Sequence, residues 1–169
     1  MALGGLALFG TIKLHLKATA APAAGTTLKQ VATIDLPGPP GKRFDYLTID
    51  YDDGYLLSAH LGAGLLYVID LKTNKVVKTI PDVPGVEGVE YVPELKKVYT
   101  SDWHEQKIGV IDLRQGKVIA KLPAQQKPDG SAYAPPFHKL YVSDERARTA
   151  TIFCGVRIRA YLKLLNRVH

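Results

Sequence analysis

The stretch "LYVIDLKTNKVVKTIP" at residues 66–81 returns as "IGVIDLRQGKVIAKLP" at residues 108–123, without a gap and displaced by 42 positions. The same displacement carries Gly88 onto Gly130, Tyr91 onto Tyr133, Pro93 onto Pro135, Tyr99 onto Tyr141, and Ser101-Asp102 onto Ser143-Asp144. A chain that repeats at one fixed interval builds its fold by stacking copies of a unit, so the period inside the unit identifies the architecture. Here that period is two. Val89–Val92, Val98–Ser101, Ile108–Ile111 and Val118–Leu122 are short runs rich in β-branched and aromatic residues, as strands with one buried face require. Four short strands in 42 residues is the arithmetic of a β-propeller blade, whereas helical repeats of similar length would show a period of 3.6. Thr73-Asn74, Pro93-Glu94, Gln115-Gly116 and Pro128-Asp129-Gly130 supply the expected bends.

The sequence therefore predicts an all-β fold of four-stranded antiparallel meanders, in units of about 43–85, 86–127 and 128–153, within a partial propeller over 26–153. Such a set makes an incomplete ring of about 2.5–3 blades. "VATIDLPG" at 31–38 resembles the end of a unit and predicts an N-terminal strand over 29–36, which in a closed ring pairs with the last blade. One blade cannot bury both of its faces, so neighbouring blades must stack on it.

"KLYVSDE" at 139–145, "KVYTSD" at 97–102 and "VIDLKTNKVVKTIP" at 68–81 resemble the YVTN-repeat β-propellers, the YncE-like extracytoplasmic proteins, over roughly residues 29–145. In that family Tyr-Val-x-Asn is followed by Val-Ile-Asp and then Pro-x-Gly-x-Ala. The resemblance implies a WD40-like ring of about seven units, a periplasmic or secreted location, and a non-enzymatic scaffold that binds a small molecule or a protein. Related propellers include metal-dependent lactonases and quinone- or haem-dependent oxidoreductases, so a fragment of a propeller enzyme is the alternative. This sequence departs from the pattern at Cys154, where the repeat should place the aspartate of Asp70 and Asp112, and residues 154–169 hold neither an acid nor a turn signal. The expectation is a truncated propeller whose coding frame slipped near residues 146–151, ending in an atypical basic tail. Its bland counterpart is an amphipathic terminal helix carrying Ile158, Tyr161, Leu162 and Leu165. An open stack of blades is expected to aggregate, oligomerise or be degraded, because one apolar face has no neighbour.

The net charge of +6 would by itself invite a polyanionic partner. Residues 146–169 hold six basic residues and no acid, so the remainder of the chain, with 16 of each, is formally neutral. No nucleic-acid partner is expected of the blades, and no span is long enough for a membrane. Residues 1–25 hold a short apolar run and Ala21 and Ala23 in an A-x-A arrangement, as an export leader or a disordered N-terminus would. The single cysteine excludes a disulfide framework.

In a meander, the connection between the second and third strands shares a face with the link to the next blade. That mouth is expected to gather residues 60–64, 102–106 and 144–148 with residues 37–45, 81–88 and 123–130. His60, Asp102, Trp103, His104 and Arg43 are its candidate ligand-binding residues. Two histidines on neighbouring blades could share a metal or exchange a proton, and Trp103 could stack on a flat ligand, although solvated loop histidines are commoner. The 42-residue displacement also aligns Asp45, Glu87 and Asp129. Three carboxylates converging on an axis suit a hard divalent cation or a cationic ligand, or else accept backbone N–H bonds in their turns. Asp70 and Asp112 end strands before turns and are expected to cap them. No catalytic motif, phosphate loop or haem signature is present, so no catalytic residue and no required cofactor are expected.

Overall fold

The computed structural model describes residues 28–40 and 42–154. The leader expected over 1–25, and the tail beyond Cys154, lie outside them. The blades all belong to the compact unit that begins at Ile34. The first blade is a sheet of β1 (Leu47–Asp50), β2 (Tyr55–His60), β3 (Leu65–Asp70) and β4 (Lys75–Ile80), in that order. The second repeats it with β5 (Val86–Val92), β6 (Lys97–Asp102), β7 (Lys107–Asp112) and β8 (Lys117–Pro123). The third contains β9 (Pro128–Ala134), β10 (Lys139–Asp144) and β11 (Thr149–Cys154). Every pairing is antiparallel between sequence neighbours. The described residues thus form two complete propeller blades and three strands of another.

Local chemistry explains why the chain turns where it does. Asp70 Oδ1 accepts from the Thr73 N–H at 2.7 Å and Asp112 Oδ1 from the Gln115 N–H at 3.1 Å, the two turn caps expected of these residues. Partial burial pushes the Asp112 carboxyl up, but the Gln115 N–H groups and the Lys97 ammonium outweigh it and hold the pKa at about 2. The structural repeat is also stricter than the sequence repeat. Left-handed residues fall at Gly54, Lys96 and His138, at Gly64, Gln106 and Arg148, and at Gly85 and Lys127, each set spaced by the same 42 positions. The register shift between Val68 and Ile69 likewise recurs between Val110 and Ile111.

Three expectations change. Residues 28–40 contain no strand. An extended segment with no ladder leaves its backbone groups unpaired, and the partner foreseen for 29–36, the last blade of a closed ring, is not among the described elements. Pro128-Asp129-Gly130, expected as a bend, opens β9 instead, with Pro128 at the first position of the strand where a missing N–H costs no interior ladder bond. The third unit also runs one residue further than 153, since Cys154 pairs with Lys139.

Alternation along the middle blade divides the core in two. Val98, Ile111, Val89 and Tyr91 pack against Leu57, Leu66, Val68 and Ile80 of the first blade. Tyr99, Ile108, Val110 and Leu122, pointing the other way, pack against Leu140 and Val142 of the third. The middle blade is sandwiched, so its strands bury side chains on both faces.

Candidate functional site

The two expected loop sets do lie together. The Trp103 N–H donates to the Gly85 carbonyl at 3.1 Å, Ala124 to Gln106 at 3.0 Å, Glu145 to Lys127 at 2.9 Å, and Gly62 to Arg43 at 2.9 Å. Each link between blades is thereby stitched to a loop between second and third strands, and the mouth has a rigid rim.

Within that rim the structure gathers the aligned acids. The Arg43 guanidinium donates to Asp45 Oδ2 at 2.6 Å and approaches Glu87 Oε1 at 3.4 Å. Glu87, Asp129 and Glu145 each bring a carboxylate oxygen within 4.8 Å of the other two. Glu145 in turn accepts from the Lys127 ammonium. Glu87 is only 1% exposed, and its Oε2 has no hydrogen-bond partner. Burial, then the nearby Asp129 and Asp45 charges, push its pKa to about 7 against the opposing pull of Lys127 and Arg43. Asp129 is raised for the same first reason. Four acids therefore face Arg43 and Lys127, with Arg146 also acting on Glu145.

Glu145 and Lys127 were not visible as partners in the sequence. Under the displacement Glu145 falls on Trp103 and Leu61, so the repeat gives it no signature; only the packing of the 144–148 turn over the start of β9 reveals it.

The other candidates sit differently. His60 is 2% exposed and ends β2 facing inward. Its ring stacks on Phe44, with centroids 3.9 Å apart and planes 12° apart, and its Nδ1 lies 3.0 Å from the Tyr67 hydroxyl. That hydroxyl also donates to the Pro37 carbonyl. Burial lowers the His60 pKa. This histidine is a neutral clamp between the first blade and the chain entering it, not a solvent-facing ligand, and no group of three metal-ligating residues among the described ones includes it. His104 is exposed. The Lys127 ammonium stands over the Trp103 ring, 5.1 Å from its centroid.

Asp102 is also corrected, from the mouth to the interior: it is fully buried, and neither carboxylate oxygen has a hydrogen-bond partner. His60, Asp102 and Asp144 occupy equivalent positions, and comparing them explains why. Asp144 Oδ2 accepts from Thr149 at 3.1 Å and Thr151 at 2.7 Å, and His60 has Tyr67. The residue equivalent to Tyr67 and Thr151 in the middle blade is Gly109, which has nothing to offer. A Cβ there would stand 2.8 Å from Asp102 Oδ2 and 2.4 Å from Thr100 Oγ1. Lys121 Nζ, at 3.9 Å, is the sole cation close to Asp102 among the described residues, and burial raises the Asp102 pKa to about 7 in spite of it.

No protein-family model matches the chain, and no curated protein matches it by sequence. Solved structures do match. Hydrazine synthase of Kuenenia stuttgartiensis is similar with a TM-score of 0.56 and 20% identity, over 70% of this chain and 32% of that one. The WD40 β-propeller domain of Doa1 is similar with a TM-score of 0.55 and 15% identity, over 65% of this chain and 36% of that one. The chain thus spans about a third of the length of either structure, and at these identities the likeness concerns architecture. No helix among the described residues is long and apolar enough to cross a membrane. Three antiparallel sheets stacked face to face, repeating at 42 residues and similar to these structures, are blades of a β-propeller with WD40-like repeat organisation.

Proposed function

We propose that the chain is part of a non-enzymatic binding scaffold whose acidic mouth takes a positively charged small molecule or protein segment. The observation that carries this is the convergence of Asp45, Glu87, Asp129 and Glu145, from three successive units, on one rim, balanced among the described residues by Arg43, Lys127 and, beside Glu145, Arg146. Fixed charge of one sign on rigid loops raises the local concentration of an oppositely charged ligand. The YVTN-repeat resemblance supports placing the scaffold outside the cytoplasm, in the periplasm or secreted.

Isothermal titration of the purified chain with spermidine, a compact polycation, tests the mouth. Binding should weaken about tenfold when both Asp129 and Asp45 become Asn, and should weaken with added salt as exposed charges are screened. Equal affinity for an uncharged analogue, or indifference to the double substitution, would sink the reading. A fusion of residues 1–30 to a reporter active only after export tests the location. Reporter activity is the expected result, and its absence would remove the extracytoplasmic assignment.

The alternative, a fragment of a propeller enzyme, is favoured by one observation: the carboxyl of Glu87, buried beside other acids and pushed up to about 7, is suited to general acid–base work. It predicts turnover that Glu87→Gln abolishes while spermidine binding persists.

A further inference from the structure

The geometry points to a site for a hard divalent cation of the Ca²⁺ class, held by Glu87, Asp129 and Glu145 and clamping the second blade to the third, with Lys127 as the built-in competitor for it. The inference rests on the acidic-mouth reading and deepens it by naming ligand and ligand set.

Spacing is the first support. Oxygens that bind Ca²⁺ lie about 2.3–2.6 Å from the ion, so two of them on opposite sides of it stand just under about 5 Å apart. The three carboxylates offer one oxygen each, all within 4.8 Å of one another. One ion reaches all three without moving a strand. They come from three places in the fold: Glu87 near the start of β5, Asp129 in β9, and Glu145 in the turn between β10 and β11.

The second support is independent of the clustering. Glu87 Oε2 is buried with no hydrogen-bond partner, in a side chain 1% exposed. An ionised carboxylate in that position lacks compensation. The groups facing Glu87 are Arg43, Asp45, Lys127, Asp129 and Glu145, and Arg43 is already engaged with Asp45 at 2.6 Å. Lys127 is paired with Glu145, yet its ammonium also stands over Trp103 at 5.1 Å. It therefore has a second resting place when an ion takes Glu145 from it.

Donor chemistry selects the class of metal. All three donors are carboxylate oxygens, with no His or Cys among them, which suits Ca²⁺ over the softer transition metals. Ligands drawn from two strands and a turn form no octahedral frame, which favours Ca²⁺ with its tolerant geometry over Mg²⁺. Asp45, aligned with Glu87 and Asp129 by the repeat, is excluded from the set because Arg43 holds it.

Terbium luminescence tests this on the full chain, because Tb³⁺ replaces Ca²⁺ and Trp103, the single tryptophan, is close enough to sensitise it. The expected result is sensitised emission that Ca²⁺ displaces and Mg²⁺ displaces poorly. Glu145→Gln and Asp129→Asn should each weaken binding about tenfold or more, Asp45→Asn should change it less than about twofold, and Lys127→Met should tighten it. Glu145 is half exposed, so its substitution should leave the circular dichroism unchanged. No Ca²⁺-displaceable emission would overturn the site. So would a loss on Asp45→Asn as large as on Glu145→Gln, or no gain on Lys127→Met. If spermidine still binds while Tb³⁺ does not, the cation site falls and the acidic mouth stands.

Discussion

Gly88→Ala is expected to destabilise the chain by about 3 kcal/mol, by forcing extra volume into a closed contact. Gly88 lies in β5, and a Cβ placed on it would stand 2.3 Å from the backbone oxygen of Asp129 in β9, with Ser101 Oγ at 2.9 Å and Ser131 Oγ at 3.0 Å. A flexible side-chain tip could step aside. A carbonyl fixed in a neighbouring blade cannot, so the two blades must part, and the apolar contacts among Tyr99, Ile108, Val110, Leu140 and Val142 loosen with them. For a domain of this size the melting temperature should fall by about 10 °C. Gly130→Ala is the control. Its Cβ would meet the Tyr46 hydroxyl at 3.3 Å and Ser143 Oγ at 3.6 Å, both ends of side chains, so a loss below about 1 kcal/mol is expected. Thermal melts of the two variants beside the parent decide it. If Gly88→Ala melts within about 2 °C of the parent, the close approach of the second and third blades is wrong.

Asp102→Asn should stabilise the chain at alkaline pH, a gain from removing a charge. Asp102 is fully buried, Gly109 provides no donor, and Lys121 stops at 3.9 Å. Burial raises its pKa from an ordinary 3.8 to about 7, so the folded chain holds a proton that the unfolded chain releases. Between those values the folded state binds more protons, and stability must fall as pH rises through the window. Each pKa unit is worth about 1.4 kcal/mol, which puts the gain for Asp102→Asn at about 2–4 kcal/mol near pH 8 and close to nothing near pH 4. Glu87, also raised to about 7, adds a slope of the same sign, so the single variant should flatten the pH dependence in part and the pair Asp102→Asn, Glu87→Gln should flatten it further. Urea unfolding across this range provides the measurement. A parent that gains stability from about pH 5 to pH 8 would contradict the burial of both carboxylates. Gly109→Thr, which would mimic Thr151 of the third blade, is no substitute, because its Cβ would collide with Thr100 and Asp102.

These cases show where sequence reasoning reached and where it stopped. The blades were legible because a strand announces itself through alternation, a local property, and because Leu66–Pro81 and Ile108–Pro123 repeat it at one spacing. The caps at Asp70 and Asp112 were legible for the same reason, since their partners lie three residues away. The acid triplet was half legible. Alignment by 42 positions showed that Asp45, Glu87 and Asp129 share a place in the fold, but not that Arg43 would hold the first and Glu145 replace it beside the others.

What the amino-acid sequence determined alone was the repeating unit, its strands and the side of the blade on which its loops emerge, all consequences of short-range stereochemistry and of the period of two. Only the tertiary structure decided which way the polar ends of β2 and β6 turned, and so made His60 and Asp102 interior groups. The reason is that burial depends on what stands opposite: Tyr67 and Gly109 are seven residues along the chain from them, but the blade stacked in front of them comes from far away in it. Left-handed turns at Lys96, Gln106 and Arg148, where glycine stands in the first unit, make the same point, since the packing of neighbouring blades imposes a backbone that their own side chains would not choose.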